Sequence, residues 1–254
     1  MPQVSVVTAV FNRARFVTEA ARSVMAQTLD DWEWVVFDDG STDDSIDRIR
    51  DVVGDDPRVR FCGGTTNHGN ARALQLACDQ ATAPLVGWLD SDDRLRPAAL
   101  KTTAGYLKDH PRIGMVYSRY AVMDAASKVR GEGSRNRIPY SPQQLLTDFM
   151  VFHFRLYRQD AAARAGGVGA TFPAANDYDF VLRMSEHCEI RGIPDVLYDY
   201  RVHGESISSA RRLDQIRASE GAINAALQRR GMADEIALHV ELQAKFRLLR
   251  KPKA

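Results

Sequence analysis

The chain has 254 residues, 44% of them hydrophobic, 26% charged and 8% aromatic, which is ordinary globular composition and enough for a full core in one large domain. The 34 Lys and Arg against 33 Asp and Glu leave a net charge of +1, which excludes a general electrostatic affinity for nucleic acid. The three cysteines, Cys62, Cys78 and Cys188, are odd in number and lack CxxC spacing, which argues against a disulfide framework or a zinc site and fits a reducing cytoplasm.

In chain order, the β-branched run Val4–Val10 predicts a first strand, and Phe16, Ala20 and Val24 follow at helical spacing. A second apolar run at 34–37 ends in Asp38-Asp39-Gly40-Ser41, and Ile46, Ile49 and Val53 then give a helix period with Asp43 and Asp44 in its first turn. A third run spans 59–62, and Ala71, Leu74, Cys78 and Ala81 mark the next helix. A fourth run, 85–89, ends in Asp90-Ser91-Asp92-Asp93, with Pro97 placed to open a helix. Strand patterns recur at 113–123, 152–157 and 196–202, with a helix over 177–188. The stretch 125–141, rich in Gly, Ser, Arg and Lys, predicts a mobile loop that could close over a ligand. From about Ser209 the pattern is helical and charged, ending in a tail with five basic residues between Lys245 and Lys253. That tail could touch an anionic membrane surface, or be a solvated or packed terminal helix. MPQVSVVTAVFNRARF lacks the order of a signal peptide, and no stretch approaches the about 18 apolar residues of a membrane span.

The repeated strand–helix rhythm predicts an α/β fold with a mainly parallel sheet flanked by helices on both faces. Ligands of such sheets bind beyond the carboxyl ends of the strands, where both acidic clusters fall. Asp90-Ser91-Asp92 sets two carboxylates at alternate positions after a strand, a spacing that suits a hard cation shared with substrate phosphates. An isolated DxD is more often a solvated acidic turn; its place after WL at a strand end, with a second acidic turn, Asp38-Asp39, after the apolar run VVF, favours a site. A carboxylate there could accept hydrogen bonds from a base or a ribose. No Walker A loop is present, and GGVGAT at 166–171 is too short for a dinucleotide fingerprint.

Four segments together, VSVVTAVFNRARFVTEAARSVMAQT, WVVFDDGSTDDS, NHGNARALQLA and GWLDSDDRLRPAAL, resemble the family 2 glycosyltransferases of the GT-A fold, and the resemblance extends from residue 4 to about residue 208. It implies an inverting transferase using a nucleoside-diphosphate sugar, with UDP the default, and a divalent cation, Mn2+ or Mg2+. By position, Ala9 and Phe11 would border the base and Asp39 would hydrogen-bond it. Arg72 would lie near the nucleotide, Asp90 near ribose or a metal-bound water, and Asp92 would be the principal metal ligand. In AANDYDF, Asp177 takes the place of the family's general base, with Asp179 as rival because Asn176 stands where an acid is usual. YRVHGESIS matches the late segment whose histidine, His203, approaches the metal or diphosphate.

The resemblance divides the chain into a catalytic domain, 1–208, and a C-terminal helical extension, 209–254. Within the domain, 1–110 would bind the nucleotide sugar and 111–208 the acceptor. The acceptor could be a glycan, a lipid-linked precursor or a small molecule. The QxxRW motif and membrane helices of processive synthases are absent from the sequence. The rival readings lack support: a pyrophosphorylase needs a Gly-rich loop where AVFNRAR stands, and a haloacid-dehalogenase-type phosphatase wants Thr or Val soon after the second Asp, where Asp93-Arg94 follow. A catalytically degenerate nucleotide- or sugar-binding module is the alternative from another class.

Overall fold

Along β1 (Val4–Val10) successive side chains face opposite sides of the sheet, and both sides are apolar. Val4, Val6 and Val10 enter one core with α1 (Val17–Met25), α2 (Ser45–Val53) and α4 (Ala99–Asp109). Val7 enters the other, with α3 (Asn70–Asp79), α5 (Gln159–Arg164), α6 (Asn176–His187) and α7 (Arg212–Arg229). A strand buried on both faces needs helices on both, which is the layering observed in this computed structural model, where residues 1–204 and 212–242 are described.

The remaining strands are β2 (Trp32–Asp39), β3 (Val59–Gly64), β4 (Leu85–Trp88), β5 (Arg94–Leu95), β6 (Ile113–Asp124), β7 (Val129–Glu132), β8 (Arg155–Arg158) and β9 (Glu189–Val202). They form one nine-stranded sheet in the order β3-β2-β1-β4-β8-β6-β9-β5, with β7 added against β6. β3, β2, β1 and β4 run parallel, so their carboxyl ends share one rim. β8 then enters antiparallel between β4 and β6. Gly87 of β4 makes that close approach possible: a Cβ there would stand 2.5 Å from the Phe154 ring and 3.0 Å from the Arg155 carbonyl.

Several expectations change. The segment 125–141 is not a featureless loop: it carries β7, paired with β6, and a 3-10 turn at Ser134–Arg137. Its turn residues carry no strand pattern of their own, because the pairing partner lies in another element. The strand expected over 152–157 starts only at Arg155, and the last strand begins at Glu189 because β6 pairs along its length. The terminal helix ends at Arg229, and 230–242 is turn and irregular chain. α7 is no free appendage: Ala222, Ile223, Ala226 and Leu227 are buried in the core beside α6. The basic tail and residues 205–208 of the late segment lie outside the described residues.

Candidate active site

The rim is assembled from loops that bind one another through side chains. Asn12, with φ of 51°, accepts the Thr42 N–H on its side-chain oxygen at 2.8 Å. Ser41 and Ser45 accept the backbone N–H groups of Asn12 and Arg13, and Asp43 accepts that of Ala14 at 3.1 Å. The polar run after β2 therefore clamps the loop after β1. Gly40 opens that run at φ of 79°, a conformation glycine adopts without strain.

Asp39 ends β2 and is 2% exposed. Its two oxygens accept the N–H groups of His68 at 2.7 Å and Gly69 at 3.0 Å, so it anchors the turn that starts α3. Ala9 is half-buried on β1, and Phe11, 42% exposed, projects from the loop above it. Arg72 lies exposed on α3 and donates to Gln75.

Past β4, the three acids of DSDD take three roles. Asp93 is buried and accepts the Tyr198 hydroxyl at 2.8 Å and the Arg201 N–H at 2.6 Å. Burial first, and the charges of Asp92 and Asp90 next, hold its carboxyl well above the ordinary range. Asp92 faces the crevice, with one oxygen 2.8 Å from His203 Nε2 and 3.8 Å from Arg13 Nε. Asp90 opens half its side-chain surface to the crevice, with His153 Nε2 at 3.8 Å. Loss of water on its protein side, then repulsion from Asp92 and Asp177, push its carboxyl up to about 7, against the opposing pull of Arg155 and Arg13.

A fully buried arginine holds this turn. Arg201 Nε donates to the Asp92 carbonyl at 2.6 Å, and its other nitrogens reach Ser127 Oγ at 2.7 Å and Glu19 at 3.1 Å. Its guanidinium also lies 4.8 Å from the centre of the Phe16 ring, which packs against His203 on another side, centroid to centroid 4.6 Å. Glu19 and Asp199 add Arg94 to the same network, at 3.1 and 3.0 Å.

Across from this turn, Asp177 sits in the first turn of α6 with an oxygen 3.4 Å from Arg155 NH1. Arg155 is buried and lies 4.9 Å from the centre of the Trp88 ring, and Trp88 Nε1 donates to Tyr157 Oη at 3.0 Å. Asp179, the rival, is buried in a 3.0 Å ion pair with Arg183, which also bonds the Ala165 and Gly167 carbonyls. A cavity of about 560 Å³ opens beside Asp177, walled by Tyr120, Phe149, Phe152, Tyr178 and Tyr200 and closed by α7.

The donor set fits a hard divalent cation. Adjacent ligands of an octahedral ion at about 2.1 Å stand about 3 Å apart, close to the 2.8 Å between Asp92 and His203. Asp90, Asp93 and His153 also bring ligand atoms within 4.8 Å of one another. Burial, then Arg155 and Arg135, keep the His153 pKa well below its ordinary value, so the ring is a neutral potential ligand. Asp93 is already spent on Tyr198 and Arg201, which makes that second group the less open one.

The sequence pattern singled out Asp90, Asp92, Asp177 and His203, and the fold brings all four to one crevice with Asp39 at its wall. It missed Arg13, His153, Arg155, Tyr198 and Arg201. Arg201 stands two residues before His203, and a charged residue at an inward position of a strand is the signal the sequence offers. His153 and Arg155 carry no local signal, because only the β4–β8 pairing brings them to the rim.

These features define an α/β protein with a carboxylate-lined crevice at the carboxyl rim of a parallel sheet, suited to a cation and a diphosphate. A family model described as glycosyl transferase family 2 matches residues 5–166, and the chain belongs to that family. It is 29% identical over 214 residues to the chondroitin synthase of Escherichia coli, covering 84% of this chain and 31% of that protein. It is likewise 29% identical over 233 residues to the hyaluronan synthase of Pasteurella multocida, covering 91% of this chain and 24% of the relative. The chain thus spans between a quarter and a third of these relatives' length. Among solved structures, S. aureus TarS 1-349 in complex with UDP-GlcNAc matches with a TM-score of 0.71 at 21% identity, covering 89% of this chain and 66% of that one. The mannosyltransferase PcManGT from Pyrobaculum calidifontis, in complex with GDP-Man and Mn2+, matches at 0.63 and 20% identity, covering 93% of this chain and 76% of that one. The GT-A-type α/β fold expected from the sequence is the fold observed. Among the described residues, no helix is long and apolar enough to cross a membrane.

Proposed function

We propose that this chain transfers a sugar from a nucleoside-diphosphate sugar to an acceptor hydroxyl with inversion, Asp177 serving as general base. The observation that carries the reading is the convergence of Asp90, Asp92 and His203 on one side of a crevice with Asp177 on the other. The complexes of the structural neighbours with UDP-GlcNAc and with GDP-Man and Mn2+ support a nucleotide-sugar donor and a divalent cation. The names of the curated relatives support a glycan as acceptor. UDP is the donor base we favour.

A cation would be held by Asp92 and His203 with Asp90 alongside, and when bound it supplies Lewis-acid stabilisation of the departing diphosphate. Ala9, Phe11 and Arg72 line the nucleoside end, and Asp39 shapes it by fixing the His68–Gly69 turn. The acceptor hydroxyl is a weak nucleophile. Asp177 takes its proton onto a carboxylate oxygen as the oxygen attacks the anomeric carbon, a role worth about 10²–10⁴-fold. Arg155 holds that carboxylate in place through the contact at 3.4 Å. The buried pair of Asp179 with Arg183 supports Asp177 over Asp179 for the role. The deciding experiment incubates the protein with UDP-, GDP- and dTDP-sugars and a glycan acceptor, then reads diphosphate release and the anomeric configuration of the product. One inverted product is expected; a retained configuration, or turnover unaffected in Asp177→Asn, would overturn the assignment.

A further inference from the structure

The Asp177 cavity does not end at the reacting centre. Arg135 and Ile138, in and just after the 3-10 turn Ser134–Arg137, line both it and a second cavity of about 600 Å³ on the outer side of β6 and β9. Arg119 and Arg137 also line the second cavity, together with Tyr117 and Tyr140, whose rings stand 6.4 Å apart. Glu132 is its one acidic residue, so its ionic lining carries three guanidinium groups against one carboxylate. Among the described residues, no carboxylate lies within ion-pair distance of Arg119, Arg135 or Arg137. Their neighbours Arg130 and Arg191 are, by contrast, tied to Asp124 and Glu189. Arg135 is held for work at the junction: it donates to the Phe149 carbonyl at 3.3 Å, and its guanidinium lies 4.3 Å from the centre of the Phe152 ring.

We propose that this second cavity is an extended acceptor subsite for an anionic glycan chain, reached from the Asp177 cavity across Arg135. The inference rests on the acceptor reading of the Asp177 cavity. A chain whose terminal hydroxyl lies at Asp177 runs over Arg135 and lays its next sugars against Tyr117 and Tyr140. Its carboxylates or phosphodiesters pair there with Arg119 and Arg137. Guanidinium groups bind both anions in a fork geometry, and aromatic faces carry the apolar sides of sugar rings. Three guanidinium groups facing one carboxylate are the charge complement of a polyanion.

The test uses Arg119→Gln/Arg137→Gln, since both side chains are exposed and make no hydrogen bond or ion pair among the described residues. Binding is measured for a hyaluronan decasaccharide (carboxylates), a poly(glycerol phosphate) decamer (phosphodiesters), neutral maltodecaose and the oligonucleotide dT10. The wild type should bind at least one anionic glycan, more weakly at 0.5 M salt, and the double variant should lose roughly tenfold in affinity. Which glycan binds tells carboxylate from phosphodiester. Equal affinity of variant and wild type for these glycans, equal binding of maltodecaose, or tighter binding of dT10 would overturn the proposal. UDP binding, measured in parallel, should be the same in both proteins. If the wild type bound no nucleotide but held the anionic glycan, the transferase reading would fail while the subsite stood.

Discussion

The two sides of the crevice are built by different means. The donor side is a set of strand ends and short loops joined by charged side chains: Arg201 under the Asp92 carbonyl, Asp93 against Tyr198, and Asp43 and the two serines across the first two loops. The side proposed for the acceptor is an aromatic wall in which Phe149 and Phe152 from the chain before β8, Tyr178 from α6 and Tyr200 from β9 meet only when those elements have packed. A wall proposed to bind a nucleoside-diphosphate sugar must hold a fixed constellation against a highly charged ligand, and dense hydrogen bonding does that. The acceptor side must offer shape and apolar faces to sugar rings. Rings supply these with little need for paired charge.

The division can be broken by mutation. The largest effect expected is at Asp177: Asp177→Asn should lower transfer about 10²–10⁴-fold while leaving diphosphate affinity unchanged, as read by paired kinetics and calorimetry. A parallel fall in diphosphate binding would mean that the two sides are not separable. Next comes Arg201→Met, which strips a buried cation from Glu19 and the Asp92 turn. Loss of one partner from such a network costs about 3–5 kcal/mol, visible as a lower denaturation midpoint. A variant as stable as the wild type would remove Arg201 from the account.

On the other wall, Phe149→Ala should raise the acceptor KM several-fold and leave the donor KM alone; the reverse pattern would misplace the wall. The last effect is expected far from the crevice, on stability. Glu33, buried near the start of β2, accepts hydrogen bonds from Ser5 and Thr82 and pairs with Arg60. Burial pushes its carboxyl upward, but the bonds from Ser5 and Thr82 and the Arg60 charge outweigh it, leaving the pKa below the ordinary value. Because the folded pKa is depressed, its stabilisation is full above the ordinary carboxylate range and is lost as pH falls through the folded pKa. Glu33→Gln should therefore cost about 1–3 kcal/mol at pH 7 and progressively less in acid. A cost independent of pH would show that shape, and not charge, is what Glu33 supplies.

The donor side was also the legible side. Its strands are short local runs, its acids stand at their ends, and a parallel sheet dictates that those ends converge, so strand-end context places Asp90 and Asp92 at the rim and the family resemblance supplies their roles. Asp93 was legible as an acid but not in its role, because its partners Tyr198 and Arg201 arrive from more than a hundred residues away. Asp39, which the resemblance sets against a base, holds the His68–Gly69 turn, a bond set by loop geometry that the sequence does not show. The acceptor wall was almost illegible. Phe149 lies in irregular chain before β8, Phe152 and His153 fall where the pattern reads strand but the strand starts only at Arg155, and β7 needs β6 to exist. Only Asp177 stood out there, through the motif around it.

The central claim is that the Asp92 turn holds a cation-dependent diphosphate site. It is tested most directly by calorimetric titration of UDP, with and without Mn2+, into the wild type and into Asp92→Asn. The account predicts UDP binding that requires Mn2+ in the wild type and is absent from the variant. UDP binding of equal strength in both proteins, or binding indifferent to Mn2+, would contradict it.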